Sequence, residues 1–178
     1  MQRWRVPLGF VCGAFFFVFA RPRPLTLAIG GTIALIGLGL RAWAAGHIRK
    51  NAALATSGPY AYTRNPLYLG SFLLGLGFTI ASSQLLLALL FAALFLGIYV
   101  PVMRVEALAL TEMFGEVYTQ YARAVPLFFP RPMPYRDSKT QDDIKFDASL
   151  YMRYREYRAG LGLVIAWSLL ALKFALIK

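Results

Sequence analysis

Long apolar runs, separated by short polar or proline-containing breaks, dominate the pattern of this chain. Five of these runs approach the roughly 20 residues that a helix needs to cross the hydrocarbon layer of a bilayer. The pattern therefore predicts an all-α integral membrane protein with about five transmembrane helices. We place these helices at residues 6–20, 25–45, 66–81, 85–103 and 157–177.

The breaks between the runs have identifiable causes. Arg-Pro-Arg-Pro at 21–24 ends the first run, because proline cannot continue a helix and restricts the residue before it. No Asp, Glu, Lys or Arg occurs from Asn65 to Met103, which favours a helical hairpin that turns at Ser82 and Ser83. The first run lacks the small-residue cleavage site of a signal peptide, so we interpret it as a span.

The pattern becomes amphipathic after the fourth run. Apolar side chains recur near helical spacing from Val105 to Tyr121, and prolines follow. This spacing predicts that the fourth helix continues as an amphipathic helix over the membrane surface. The polar residues 135–156 are interpreted as an ordered connector against the membrane. These features divide the chain into an N-terminal two-helix hairpin (1–45), a core (46–134), and a connector with the last helix (135–178).

Composition supports a membrane protein and excludes several functional classes. Charged residues make up 15% of the chain and apolar residues 58%, whereas soluble proteins contain about 25% charged residues. The single cysteine, Cys12, excludes a disulfide framework, and the single histidine, His47, argues against a histidine-built site. No metal site is therefore predicted. The spans contain no ionisable residue away from their ends, which argues against a proton-coupled transporter.

The net charge of +11 is interpreted as a topology signal. With a cytoplasmic N-terminus, fifteen Lys and Arg residues fall on the cytoplasmic face and three on the other, and Lys173 lies near a helix end. These residues flank the spans, so we expect contact with anionic membrane lipids and no nucleic-acid binding. The sequence therefore predicts a multi-pass membrane protein whose N-terminus lies in the cytoplasm.

Glycines in the second and third runs have two interpretations. Residues 37–42 match the dinucleotide-binding pattern G-x-G-x-x-A, but they lie in an apolar run without the strand that this motif requires. We therefore predict that these small residues, like Gly75 and Gly77, allow close helix packing. The packing partner is either another helix of this chain or a helix of a second subunit.

Candidate chemistry concentrates in two stretches. Residues 56–70 contain three tyrosines, one arginine, one asparagine and two prolines. Glu106, the first acidic residue of the chain, ends the fourth run. Tyrosine and arginine are also typical of any membrane interface, so a structural role is open. Alternatively, the Gly-Pro-Tyr turn and the free N–H groups of the next helix favour a site for an anion.

Together the two stretches resemble the integral membrane S-adenosylmethionine-dependent methyltransferases. Thr-Ser-Gly-Pro-Tyr and Arg-Asn-Pro-Leu-Tyr-Leu-Gly, between Thr56 and Gly70, are similar to the first sequence block of this superfamily. Phe-Gly-Glu-Val-Tyr-Thr-Gln-Tyr, from Phe114 to Tyr121, is similar to the second block. The superfamily includes isoprenylcysteine carboxyl methyltransferase and phosphatidylethanolamine N-methyltransferase. The resemblance covers about residues 45–130.

The resemblance implies a cytoplasmic pocket that binds S-adenosylmethionine and releases S-adenosylhomocysteine. It also implies a lipophilic acceptor, which is a lipid amine or a lipid-linked carboxylate. Transferred by position, catalytic roles fall on Tyr68 and Arg64, and Arg104 is the third candidate because it is the arginine nearest to the position where the carboxyl enzymes have one. Cofactor-binding roles fall on His47, Ala52, Ala53, Leu54, Ala55, Tyr60, Asn65, Pro66, Leu67, Tyr68 and Glu106.

Three positions depart from the carboxyl methyltransferase pattern. Asn65 replaces the common histidine, Val102 replaces a substrate-facing arginine, and Ala107 replaces a second glutamate. The stretch from Asn65 to Ser71 resembles the phospholipid N-methyltransferases instead. The alternatives are an inactive membrane scaffold of the same fold and, with less support, an NADPH-dependent sterol-type reductase. Oligomerisation is left open.

Overall fold

The computed structural model describes residues 13–48, 53–136 and 146–177. Every regular element within these ranges is helical, which confirms the predicted all-α class. The described part of the first helix, α1, covers 13–19. The later elements are α2 (Pro24–Ala45), a 3₁₀ turn (Gly58–Ala61), α3 (Pro66–Ser82), α4 (Leu85–Leu94), a π-helical turn (Phe95–Tyr99), α5 (Val100–Phe114), α6 (Glu116–Ala124), α7 (Ala148–Arg153) and α8 (Tyr157–Ile177).

Among the described residues, three helices are long and apolar enough to cross a membrane. They are α2, the continuous helix Leu85–Phe114 formed by α4, the π-helical turn and α5, and Tyr157–Leu176 of α8. The apolar helix α3 has 17 residues, at the lower limit for a span. The predicted first span lies partly outside the described residues, so the number five stays a prediction.

Glycines bring α2 and α3 into backbone contact. A Cβ atom placed on Gly37 would lie 2.7 Å from the carbonyl oxygen of Gly70, and one on Gly77 would lie 2.5 Å from that of Gly30. These distances leave no room for a side chain, as in the small-residue interfaces of membrane helices. These four glycines, for which the sequence left a second subunit open, are therefore used within the chain.

The predicted hairpin turn at Ser82 and Ser83 is confirmed. Helix α3 ends at Ser82, and Ser83 adopts a left-handed conformation with φ of 54°. The Ser83 hydroxyl donates a hydrogen bond to the Thr26 hydroxyl oxygen (2.8 Å), and the Arg21 amide donates to the Ser82 carbonyl (2.8 Å). The turn is thereby held against the start of α2.

The predicted amphipathic helix after the fourth span is present, but it is interrupted: the helix that continues α4 ends at Phe114, and α6 follows after Gly115. Gly115 separates α5 from α6 with φ of +56° and ψ of −128°, a conformation that glycine adopts without strain. The break turns Tyr118 and Tyr121 of α6 inwards, where they are buried, while Val105 and Leu108 of α5 remain exposed.

The α2–α3 contact predicts a difference between two glycine substitutions. Gly77→Ala places a methyl group against the Gly30 carbonyl and Ala34, so we expect a loss of about 1–3 kcal/mol in unfolding free energy. Gly39→Ala is the matched control, because a Cβ atom there meets nothing within 4 Å. Thermal unfolding in detergent should show a lower Tm for Gly77→Ala only. Equal Tm values for both variants would contradict the contact.

Candidate active site

A cavity of about 430 Å³ lies where the C-terminal part of α2 and the start of α3 meet α5 and α6. Its volume falls within the range of small-molecule sites, whose walls are mostly apolar with a few convergent polar groups. Apolar wall residues include Met103, Leu110 and Phe114. The polar side chains of the wall belong to Arg41, Tyr60, Arg64, Asn65, Tyr68, Glu106, Tyr118 and Tyr121.

Most of the predicted site residues meet at this cavity, although they come from separate parts of the chain. Ala52 lies outside the described residues. His47 and Arg104 are not part of the wall. The predicted residues that line the cavity are Ala53, Leu54, Ala55, Tyr60, Arg64, Asn65, Pro66, Leu67, Tyr68 and Glu106.

The positions of His47 and Arg104 do not support direct roles. The buried His47 ring lies 2.9 Å from the Trp43 carbonyl through Nδ1 and packs beneath Gly58, where an added Cβ would lie 2.5 Å from it. The His47 ring thus packs against the 3₁₀ turn. Arg104 is exposed. It precedes Glu106 by two residues, which is about 200° around the helix, so it lies on the side of α5 away from the cavity.

The 3₁₀ turn is positioned by hydrogen bonds from distant segments. Gly58 has φ of +57°, which a glycine adopts freely. The Tyr121 hydroxyl donates to the Tyr60 carbonyl (2.7 Å), and the Tyr135 amide donates to the Ala61 carbonyl (2.8 Å). The turn therefore lies between α2 and the segment that follows α6.

Asn65 and Arg64 connect the start of α3 to the segment after α6. The Asn65 side-chain amide donates to the Leu127 carbonyl (2.9 Å), and the Arg64 backbone amide donates to the Pro126 carbonyl (3.0 Å). Pro66 occupies the first turn of α3, where its missing N–H costs nothing. The Asn-Pro pair thus fixes where α3 begins relative to the cavity.

Tyr68 and Glu106 connect α3 to α5 across the cavity. The Tyr68 hydroxyl donates a hydrogen bond to Glu106 Oε2 (3.1 Å). The Tyr68 ring also packs edge-on against Tyr99, with 5.5 Å between ring centres. Glu106 is the acidic side chain among the described residues of the wall. Its carboxylate can accept hydrogen bonds from hydroxyl or ammonium groups of a ligand.

Two buried donors of the wall lack a partner within the described protein. They are the Tyr60 hydroxyl and Arg64 Nε, although Arg64 Nη1 donates to the Tyr118 hydroxyl oxygen (3.2 Å). Burial raises the pKa of Tyr60 well above its ordinary value, and the neighbouring Tyr121 and Glu106 raise it further. Tyr60 is therefore a neutral O–H donor. An unpaired buried polar group costs about 1–3 kcal/mol, so these two donors mark a place for an acceptor oxygen.

Arg41 is a wall residue that the sequence reasoning did not place in the site. It was counted only as a basic residue that indicates topology. Its guanidinium forms an ion pair with Glu156 (2.8 Å), and both side chains are largely buried. The available signal was its place inside the second apolar run, since ionisable residues within spans are functional candidates by default.

A family model of phospholipid methyltransferases matches residues 26–117, more than half of the chain. The chain belongs to the phospholipid methyltransferase family. This membership confirms the resemblance to the membrane methyltransferase superfamily, and the match extends from α2 into α6. It therefore includes Arg41, the 3₁₀ turn, Tyr68 and Glu106. No solved structure matches this family member.

Three curated relatives extend the comparison. The family member is 37% identical over 147 residues to the cobalt-zinc-cadmium resistance protein CzcN of Cupriavidus metallidurans (77% of this chain, 66% of the relative). It is 37% identical over 114 residues to the nickel-cobalt-cadmium resistance protein NccN of Alcaligenes xylosoxydans xylosoxydans (63% and 52%). It is 33% identical over 81 residues to protein-S-isoprenylcysteine O-methyltransferase of Schizosaccharomyces pombe (46% and 34%). The chain thus spans less than two thirds of the length of each of these relatives.

The buried Tyr60 hydroxyl predicts a pH dependence of stability. Its pKa is raised above the ordinary value of 10.0. The contribution of the neutral hydroxyl to the free energy of unfolding is therefore fully present below about pH 10 and is lost as the pH rises further. We expect the wild type to lose more unfolding free energy than Tyr60→Phe between about pH 9 and about pH 11. Denaturant unfolding at both pH values measures this difference. Tyr157→Phe, an exposed tyrosine of α8, should behave like the wild type, and an equal loss in Tyr60→Phe would contradict the assignment.

Proposed function

We propose that this protein transfers a methyl group from S-adenosylmethionine to a lipophilic acceptor. The observation that carries the proposal is the cavity itself, which gathers a carboxylate, two unpaired donors and a tyrosine face within residues 26–117, the range of the family match. When bound, this cofactor supplies a methyl group on a positively charged sulfur that is already activated for displacement.

The wall residues fit the chemical groups of this cofactor. The Tyr60 hydroxyl and Arg64 Nε would hold its carboxylate, because both are donors without a partner in the described protein. Glu106 would hold its ammonium group or ribose hydroxyls. The ring face of Tyr68 would attract its positive charge by a cation–π interaction of about 0.5–2 kcal/mol. The carboxylate, the sulfonium, and either the ammonium group or the ribose hydroxyls of the cofactor thus each have a chemically matched residue in the wall.

The main work of the protein residues is alignment in a dry site. Met103, Leu110 and Phe114 line the cavity with apolar surface, which would exclude water from the reacting atoms once cofactor and acceptor fill it. A carboxylate acceptor needs no base. An amine acceptor must lose a proton first. Because the cofactor would occupy Glu106, the described residues of the wall offer no second carboxylate to take this proton.

The proposed setting is a multi-pass membrane protein whose N-terminus and cavity face the cytoplasm. The asymmetry of Lys and Arg between the two faces supports this orientation. The cavity lies at the helix ends on the face that carries most of these residues, so an acceptor could keep its apolar part in the bilayer. Two relatives are named for resistance to metal ions, but those names assign no reaction. The proposal of methyl transfer therefore rests on the family membership.

Ligand binding tests the proposal. We expect detergent-purified protein to bind S-adenosylhomocysteine in isothermal calorimetry, and Glu106→Ala to bind at least tenfold more weakly, or about 1.4 kcal/mol. Tyr60→Phe should also weaken binding without lowering the Tm of the free protein, because the hydroxyl it removes has no partner there.

Glu112→Gln is the matched control for these variants, because Glu112 is an exposed glutamate of α5 that does not line the cavity. Its affinity should equal that of the wild type. Absence of heat and of thermal stabilisation with the wild type would contradict the proposal and favour the inactive scaffold.

A further inference from the structure

Arg41 of α2 is held by two other segments at once, helix α3 and the turn after α7. Its Nε and Nη2 atoms donate to both carboxylate oxygens of Glu156, at 2.8–3.1 Å. Its Nη1 atom donates to the Ser71 hydroxyl oxygen and, at 3.4 Å, to the Leu67 carbonyl of α3. A guanidinium has five N–H groups, and these five hydrogen bonds engage each nitrogen. Arg41 therefore lines the cavity with each of its three nitrogens already hydrogen-bonded within the protein.

The backbone around Arg41 is adapted to this position. A Cβ atom on Gly70 would lie 2.6 Å from Arg41 Cγ, so the absence of a side chain on α3 makes room for the stem of the arginine. The partner carboxylate follows Arg155, which has φ of 56°. Such a conformation is uncommon for a residue other than glycine and is found where the surrounding structure fixes it. The turn after α7 thus places Glu156 next to α2.

Glu106 lines the same cavity from α5 and, like Arg41, contacts the first turn of α3. Arg41 reaches the carbonyl of Leu67, and Glu106 accepts a hydrogen bond from Tyr68, the next residue of α3. Arg41, like Arg64, is a cation of the cavity wall, and its guanidinium contacts the first turn of α3. If Glu156 did not hold it, a flexible guanidinium with the opposite charge would be attracted to Glu106.

We propose that Glu156 is a positioning residue that holds Arg41 against α3 and so leaves Glu106 available for the cationic part of the methyl donor. This inference rests on the proposed function of the cavity. Glu156 neutralises the Arg41 charge and occupies its donors, although it does not line the cavity itself. Without it, Arg41 adds a positive charge to the cavity and competes for the Glu106 carboxylate.

Selectivity between two ligands separates this role from a structural one. S-Adenosylmethionine carries a sulfonium charge that S-adenosylhomocysteine lacks, so a released Arg41 weakens binding of the former more. By calorimetry, we expect Glu156→Gln to bind S-adenosylhomocysteine more weakly, because Arg41 competes for Glu106. We expect it to bind S-adenosylmethionine about tenfold more weakly still, because the added positive charge repels the sulfonium. Glu112→Gln, the exposed control on α5, should leave both affinities unchanged.

A second substitution should restore binding. Arg41→Gln combined with Glu156→Gln removes the competing cation and also avoids an unpaired buried charge, which is the costly outcome of breaking such a pair. We expect this double variant to bind S-adenosylmethionine within about threefold of the wild type. The double variant also provides the test if Glu156→Gln alone does not fold.

Other outcomes would overturn the inference. Equal weakening for both ligands without recovery in the double variant would show that the ion pair only stabilises the fold. Unchanged affinities in Glu156→Gln would show that Arg41 stays in place without Glu156. A wild type that binds neither ligand would instead overturn the proposed function, and this inference with it, so the two failures are distinguishable.

Discussion

The backbone contact between α2 and α3 determines where the polar wall of the cavity lies. Gly37 and Gly70 allow the two helices to approach until a Cβ atom has no room. At this separation the Arg41 side chain of α2 reaches the first turns of α3, where Ser71 and the Leu67 carbonyl accept its hydrogen bonds. A wider spacing would leave the arginine to find other partners in an apolar setting, at a high cost in free energy.

The cavity combines a rigid helical wall with a turn that depends on long-range contacts. Tyr60 is placed by the Tyr121 hydroxyl of α6, and Asn65 by the Leu127 carbonyl. These bonds satisfy the backbone of the turn, whereas the Tyr60 hydroxyl and Arg64 Nε have no partner. These two buried donors at the wall are places where the acceptor atoms of a ligand would offset the cost of desolvation.

Local signals in the sequence predicted the elements, and spacing alone did not predict the contacts between them. Apolar runs and Pro66 indicated where α3 begins. The family resemblance assigned most of the wall residues to one site. The break at Gly115 was missed because apolar spacing continues across it. The Arg41–Glu156 pair was missed because it joins residues 115 positions apart, and the buried position of His47 depends on its packing beneath Gly58.

Methyl transfer to a lipid is the central claim, and transfer of a labelled methyl group tests it most directly. Detergent-purified protein would be incubated with S-adenosylmethionine labelled with tritium in its methyl group and with a total membrane lipid extract. We expect label in the organic phase with the wild type and with Glu112→Gln, and little label with Glu106→Ala. Organic-phase label no higher with the wild type than in a reaction without protein would contradict the account.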